Sequence, residues 1–152
     1  MFHLRKPDGN NRIIFIRQKE LNEAHETIKL SLQPEAEEII SRYKAGEESA
    51  YLLNFESKYI AYNSFIHFIS KKIGEIAKIA ELDGITLYWA RYSWATIADS
   101  IGIEEKIISK VLGHVDKSIA GRHYIVFDWS RVDRANRAVI DFVLRKGRKQ
   151  DQ

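Results

Sequence analysis

The strongest constraint on the fold lies between residues 59 and 81, where Tyr62, Phe65, Ile66, Ile69, Ile73, Ile76 and Ala80 recur at steps of three and four. That period belongs to one stripe of an α-helix and to no strand. A helix this long must bury its stripe, so the chain needs further helices or a sheet to cover it. The sequence supplies both. Trp94, Ile97, Ala98 and Ile101 mark a helix from about Trp89. Ile107, Ile108, Val111 and Leu112 mark a short one over Glu104–Leu112. Val132, Ala135, Val139, Phe142 and Val143 mark a last helix from about Trp129, with Asp128 placed as its cap. Its polar continuation, Arg145–Gln152, is expected to fray.

The first third reads differently. Asp8-Gly9-Asn10-Asn11 is a turn signal, and Arg12-Ile13-Ile14-Phe15-Ile16-Arg17 is a short β-branched run. Glu26-Thr27-Ile28-Lys29-Leu30 offers a partner across a polar loop near Leu21 to His25, giving a hairpin. Pro34 fits the first position of a helix whose early turns carry Glu35, Glu37 and Glu38. Ile39, Ile40 and Tyr43 form its apolar side, and Gly46 is expected to end it. The predicted class is therefore mainly α with a small antiparallel β-hairpin. The chain reads as one domain: hairpin about 12–31, helical core about 34–126, terminal helix about 129–145.

With 152 residues the chain is long enough for an ordinary core. It has no cysteine, which excludes disulfides and thiolate metal sites. No apolar run is long enough to span a bilayer, and the first residues do not form a signal peptide, so a cytoplasmic location without membrane attachment is expected. A net charge of +3 barely favours nucleic acid, but Arg131, Arg134, Arg137, Arg145, Lys146, Arg148 and Lys149 concentrate the cations at the end. No carboxylate–histidine cluster points to a metal, and no cofactor is expected.

Three motifs stand out: Tyr88-Trp89-Ala90-Arg91-Tyr92-Ser93-Trp94-Ala95-Thr96, then Leu112-Gly113-His114, then His123-Tyr124. An arginine opening a helix is suited to gripping a phosphate with its planar fork of donors. A glycine is suited to turning the chain so that the next residue, His114, points off a helix end. Cleaving a phosphodiester needs such donors, a nucleophile and an acid for the leaving oxygen.

In order and spacing these motifs resemble the catalytic domain of the tyrosine recombinases, or phage-type integrases. The family's His-x-x-Arg is Tyr88-x-x-Arg91 here, and Tyr92 stands where a histidine is usual, a variant similar to the integrases of Bacteroides-type mobile elements. The resemblance implies the fold of the DNA breaking–rejoining enzymes and a role in DNA integration. It implies Tyr124 as the nucleophile forming a 3′-phosphotyrosyl link, with one residue more than usual between Gly-His and the tyrosine. Arg91 and His114 would bind the phosphate, and Tyr88 would contact the phosphate or the nucleophile. Lys19, after the first strand, would donate a proton to the departing 5′ oxygen. Arg91, His114 and Lys19 are then expected in one basic groove. Double-stranded DNA is the implied partner, with self-association, a tetramer in the full-length form.

The family's first arginine lies on a helix upstream of the hairpin, and Arg5 and Arg12 are not in a matching context. The chain is therefore expected to be an N-terminally truncated catalytic domain that does not recombine DNA unaided. Family members pass a terminal segment to the next subunit, so the last helix is expected to dock on a neighbouring protomer, with docking on its own domain as the alternative. Two rival readings remain: a non-catalytic DNA-binding or assembly module that keeps the fold, and a helical regulatory domain with no DNA role.

Overall fold

The computed structural model describes Pro7 and residues 11–16, 27–59, 61–114 and 126–150. The described residues are mainly helical with one two-stranded antiparallel sheet, and the chain divides into two compact units. The first holds Met1–Asn11 and Leu32–Ser93. The second holds Arg12–Ser31 and Trp94–Gln152.

In the second unit, β1 (Arg12–Ile16) pairs antiparallel with β2 (Thr27–Ser31), Arg12 opposite Ser31 and Ile16 opposite Thr27. Both strands fall where β-branched residues cluster. The core is Ile107 from helix α5 (Glu105–Val111) against Val132 and Ala135 from helix α6 (Ser130–Gln150). Leu30, Trp94, Ile103, Val111, Phe127 and Trp129 pack around it. Asp133, one position from the buried Val132, fastens the hairpin to α6. Its carboxylate accepts from Arg12 Nη2 at 2.9 Å, from the Ser31 amide at 2.9 Å and from the Ser31 hydroxyl at 2.8 Å. The first half of α6 thus packs on its own chain, the alternative set beside docking on a neighbour. The hairpin, though early in sequence, belongs with the C-terminal half.

Asp128 caps α6 as predicted. Its Oδ1 accepts the Ser130 amide at 2.9 Å and its Oδ2 the Ser130 hydroxyl at 2.7 Å. Those bonds hold its carboxyl below the ordinary aspartate range, the side-chain bond from Ser130 first and its backbone amide second. The helix runs to Gln150 rather than fraying from Arg145. Arginine, lysine and glutamine are good helix formers, and Arg145 Nε donates to the Asp141 carbonyl at 3.1 Å.

In the first unit, α1 (Pro34–Tyr43) opens with Pro34 after an extended Gln33, and Glu35 and Glu37 fill its first turn. Glu37 also accepts from Asn11 Nδ2 at 2.6 Å. The helix stops at Tyr43 and not at Gly46, because Lys44 turns extended and bridges to Leu53. The Asn54 amide then donates to the Tyr43 carbonyl at 2.8 Å. The short α2 (Phe55–Lys58) and the long α3 (Tyr62–Ile79) are separated by extended backbone at Tyr59 and Ala61, so the predicted helix start at residue 59 is three residues early. Tyr59 packs its ring on Phe65 at 5.4 Å and on Phe68 at 5.4 Å, and Phe55 lies 4.7 Å from Phe65 and 6.1 Å from Tyr43. This aromatic cluster takes Tyr59 out of the helix. Of the predicted stripe Phe65 is buried, while Ile76 is 62% exposed and Tyr62 also faces solvent. No described helix is long and apolar enough to cross a membrane.

Candidate functional site

Helix α4 (Tyr88–Ser100) presents Tyr88 and Arg91 one turn apart on its first turns, in the first unit. The predicted shared face is real: the Arg91 guanidinium carbon lies 5.9 Å from the centre of the Tyr88 ring. A cation against an aromatic ring contributes roughly 0.5–1 kcal/mol at a site open to water. Tyr92, four residues after Tyr88, meets the Tyr88 ring edge-on at 4.8 Å with the planes 72° apart. Arg91 is half-buried, and both tyrosines are exposed. The helix start offers less backbone charge to an anion than its sequence position promises. The Trp89 amide already donates to the Thr86 carbonyl at 3.0 Å, and the Ala90 amide to the Leu87 carbonyl at 3.3 Å.

His114 lies in the second unit, just past α5. Gly113 takes φ +68°, a left-handed turn that glycine adopts without steric cost. Its amide donates to the Lys110 carbonyl at 2.9 Å, and the His114 amide to the Ser109 carbonyl at 2.9 Å. This pair of bonds is the Schellman ending.

The same ending closes two other helices. After α4 the Gly102 amide bonds Asp99 and the Ile103 amide bonds Ala98. After α3 the Glu81 amide bonds Lys78 and the Leu82 amide bonds Ala77. The residue after the left-handed one is usually apolar and packs back on its helix. Ile103 keeps that rule, and Leu82 is apolar but 50% exposed. His114 breaks it and is exposed. A polar side chain where local packing asks for an apolar one is consistent with a role outside the fold.

Lys110 is the residue that reading the sequence missed. It is the one buried charged side chain among the described residues, and its ammonium lies 5.5 Å from the centre of the Phe127 ring. The signal was present: Lys110 falls three residues after Ile107, on the same helical stripe. Its carbonyl holds the Gly113 turn, and its side chain holds Phe127, three residues after Tyr124 in the sequence. Arg12, lacking the family's arginine context, is engaged by Asp133 instead.

Tyr124 and Lys19 lie outside the described residues, as does His123. Of the five candidates, then, Tyr88 and Arg91 are brought together, and His114 is placed at an exposed helix end. Among the described residues no group of three or more histidine, aspartate or glutamate side chains could hold a metal ion. Comparison with protein families, with curated proteins and with solved structures found no match to this chain.

Proposed function

We propose that this chain is part of a tyrosine recombinase catalytic domain, with the fold of that family. In this reading it cuts and rejoins double-stranded DNA in an assembly with further copies of itself. The observation that carries the reading is the Tyr-x-x-Arg pair of α4, in which the guanidinium sits against the phenol ring at an otherwise exposed helix start. Arg91 binds the non-bridging oxygens of the scissile phosphate. Tyr88 steadies the guanidinium with its ring and offers a hydroxyl donor in place of the family's histidine. His114 supplies a second donor from the exposed end of α5.

The Tyr124 oxygen attacks phosphorus as its proton passes to water. The bond to the 5′ oxygen of the next nucleotide breaks, and Lys19 protonates that oxygen. The phosphotyrosyl ester keeps the bond energy, so a 5′ hydroxyl of another strand can reverse the step without a cofactor.

A nicked suicide substrate tests this, incubated with the protein in its longest native reading frame. A covalent protein–DNA adduct is expected, absent in Tyr124→Phe. Arg91→Ala should slow its formation by about 10²–10³, the usual loss for one preorganised donor. No adduct, or one that survives Tyr124→Phe, overturns the reading. DNA binding without any adduct would instead support a non-catalytic DNA-binding or assembly module.

A further inference from the structure

We propose that Lys110 is a positioning residue for Tyr124, holding the chain at both ends of the stretch from Gly113 to Phe127. The proposal rests on the strand-transfer reading, in which Tyr124 is the nucleophile and His114 a phosphate donor. At one end the Lys110 carbonyl accepts the Gly113 amide at 2.9 Å. At the other its ammonium lies over the Phe127 ring, 5.5 Å from the centre. His114 directly follows the first anchor, and Tyr124 precedes the second by three residues. Three residues of extended chain span at most about 11 Å, so a fixed Phe127 confines the Tyr124 Cα to that radius. One residue of α5 is thereby the reference point for both the donor and the nucleophile.

The identity of the side chain carries the argument. Lys110 lies on the core stripe of α5, three residues after Ile107, and is only 9% exposed. An aliphatic side chain would pack there without stripping water from an ammonium, so a lysine opposes folding unless its charge is engaged. Phe127 engages it. The ring is also seated by apolar contacts: it packs against the cluster of Ile107, Val132 and Ala135 and meets Trp129 at 5.2 Å with the planes 78° apart. Apolar burial is non-directional and fixes how deep the ring sits. A cation prefers the face of a ring over its edge, so Lys110 adds a preference for the tilt of Phe127 and for the course of the backbone that leads back to Tyr124.

The test is adduct formation on the nicked suicide substrate, with the protein in its longest native reading frame. Lys110→Met keeps the length and apolar stem, removes the charge and leaves the carbonyl that closes the Gly113 turn. It should slow the adduct by about 2- to 30-fold at saturating DNA, the range for loss of one cation–ring contact. The DNA concentration for half-maximal rate should stay within about twofold. Lys110→Arg keeps the cation and should recover most of the rate. Phe127→Leu should slow the adduct as Lys110→Met does, and the double variant should be no slower than either single one, since both remove the same contact. Melting curves identify any variant that fails to fold, and the comparison of Phe127→Leu with the parent keeps the test intact if Lys110→Arg is one of them. A parent that forms the adduct while Lys110→Met matches its rate overturns this proposal and leaves strand transfer standing. Additive losses for Lys110→Met and Phe127→Leu overturn it as well, because the two side chains would then act separately. A parent that forms no adduct overturns strand transfer, and the positioning role falls with it.

Discussion

Helices α3 and α6 are the two long amphipathic elements of the chain, and their apolar stripes meet different fates. Val132, Ala135 and Val139 of α6 are buried, and Asp133 binds the hairpin beside them. On α3, Phe65 and Ala77 are buried while Ile76 is exposed and Ile79 is 85% exposed. A periodic stripe records that a helix has an apolar face. It does not record how much of that face the same chain covers. Coverage is decided by residues far away in sequence, such as Ile107, Leu30 and Arg12 for α6.

The comparison is sharpest at single side chains. Val132→Ala leaves a cavity in a fully closed site and should destabilise the chain by about 2 kcal/mol or more, read by denaturant unfolding. Ile76→Ala should fall within about 0.5 kcal/mol of the parent. Similar losses at both positions would mean that α3 is covered in solution. Asp133→Ala should cost about 1–3 kcal/mol, because it strips acceptors from Arg12 and from the Ser31 amide and hydroxyl together. Hydrogen exchange should then rise in β2 before it rises in α3.

A smaller effect, of opposite sign, belongs to the α3 ending. Glu81 holds φ +53° in the position that Gly102 and Gly113 fill elsewhere. Glu81→Gly relieves that strain and should stabilise by roughly 0.5–1 kcal/mol. A loss of stability would show that the Glu81 side chain contributes a contact worth more than the strain. The smallest expected effect is at Asp128. Its carboxyl is held below the ordinary range, so its contribution is complete above the unfolded-state value and disappears as pH falls through the folded value. Asp128→Asn should flatten the acid limb of the stability curve: its small cost is present at neutral pH and vanishes as pH falls through the folded value.

What was legible in the sequence was local. Pro34 at the α1 start, Asp128 at the α6 start, Gly113 at the α5 end and the two strands each follow from a few neighbouring residues. The Tyr88–Arg91 contact is local as well, since three residues is one helical turn. The break at Tyr59–Ala61 was illegible because ring packing with Phe65 and Phe68 outweighs a continuous helical pattern. Lys110 and Asp133 look like solvated charges until Phe127, Arg12 and Ser31 are set beside them. The candidate site divides along the same line. The Tyr88–Arg91 pair could be read from spacing, whereas convergence of Arg91 with His114, Lys19 and Tyr124 depends on long-range packing that spacing does not encode.

The α5 ending has a consequence for how a site of this kind can change. The bonds that close the helix run from the Gly113 and His114 amides to main-chain carbonyls, and none uses the imidazole. The backbone therefore acts as a socket, and the residue in it is free to vary. Substitution of His114 by glutamine, lysine or asparagine leaves the turn intact, so this position can lose or exchange its chemistry with little cost to folding. Under the strand-transfer reading proposed above, the donor that His114 supplies could be lost here by a single step that stability measurements would scarcely register.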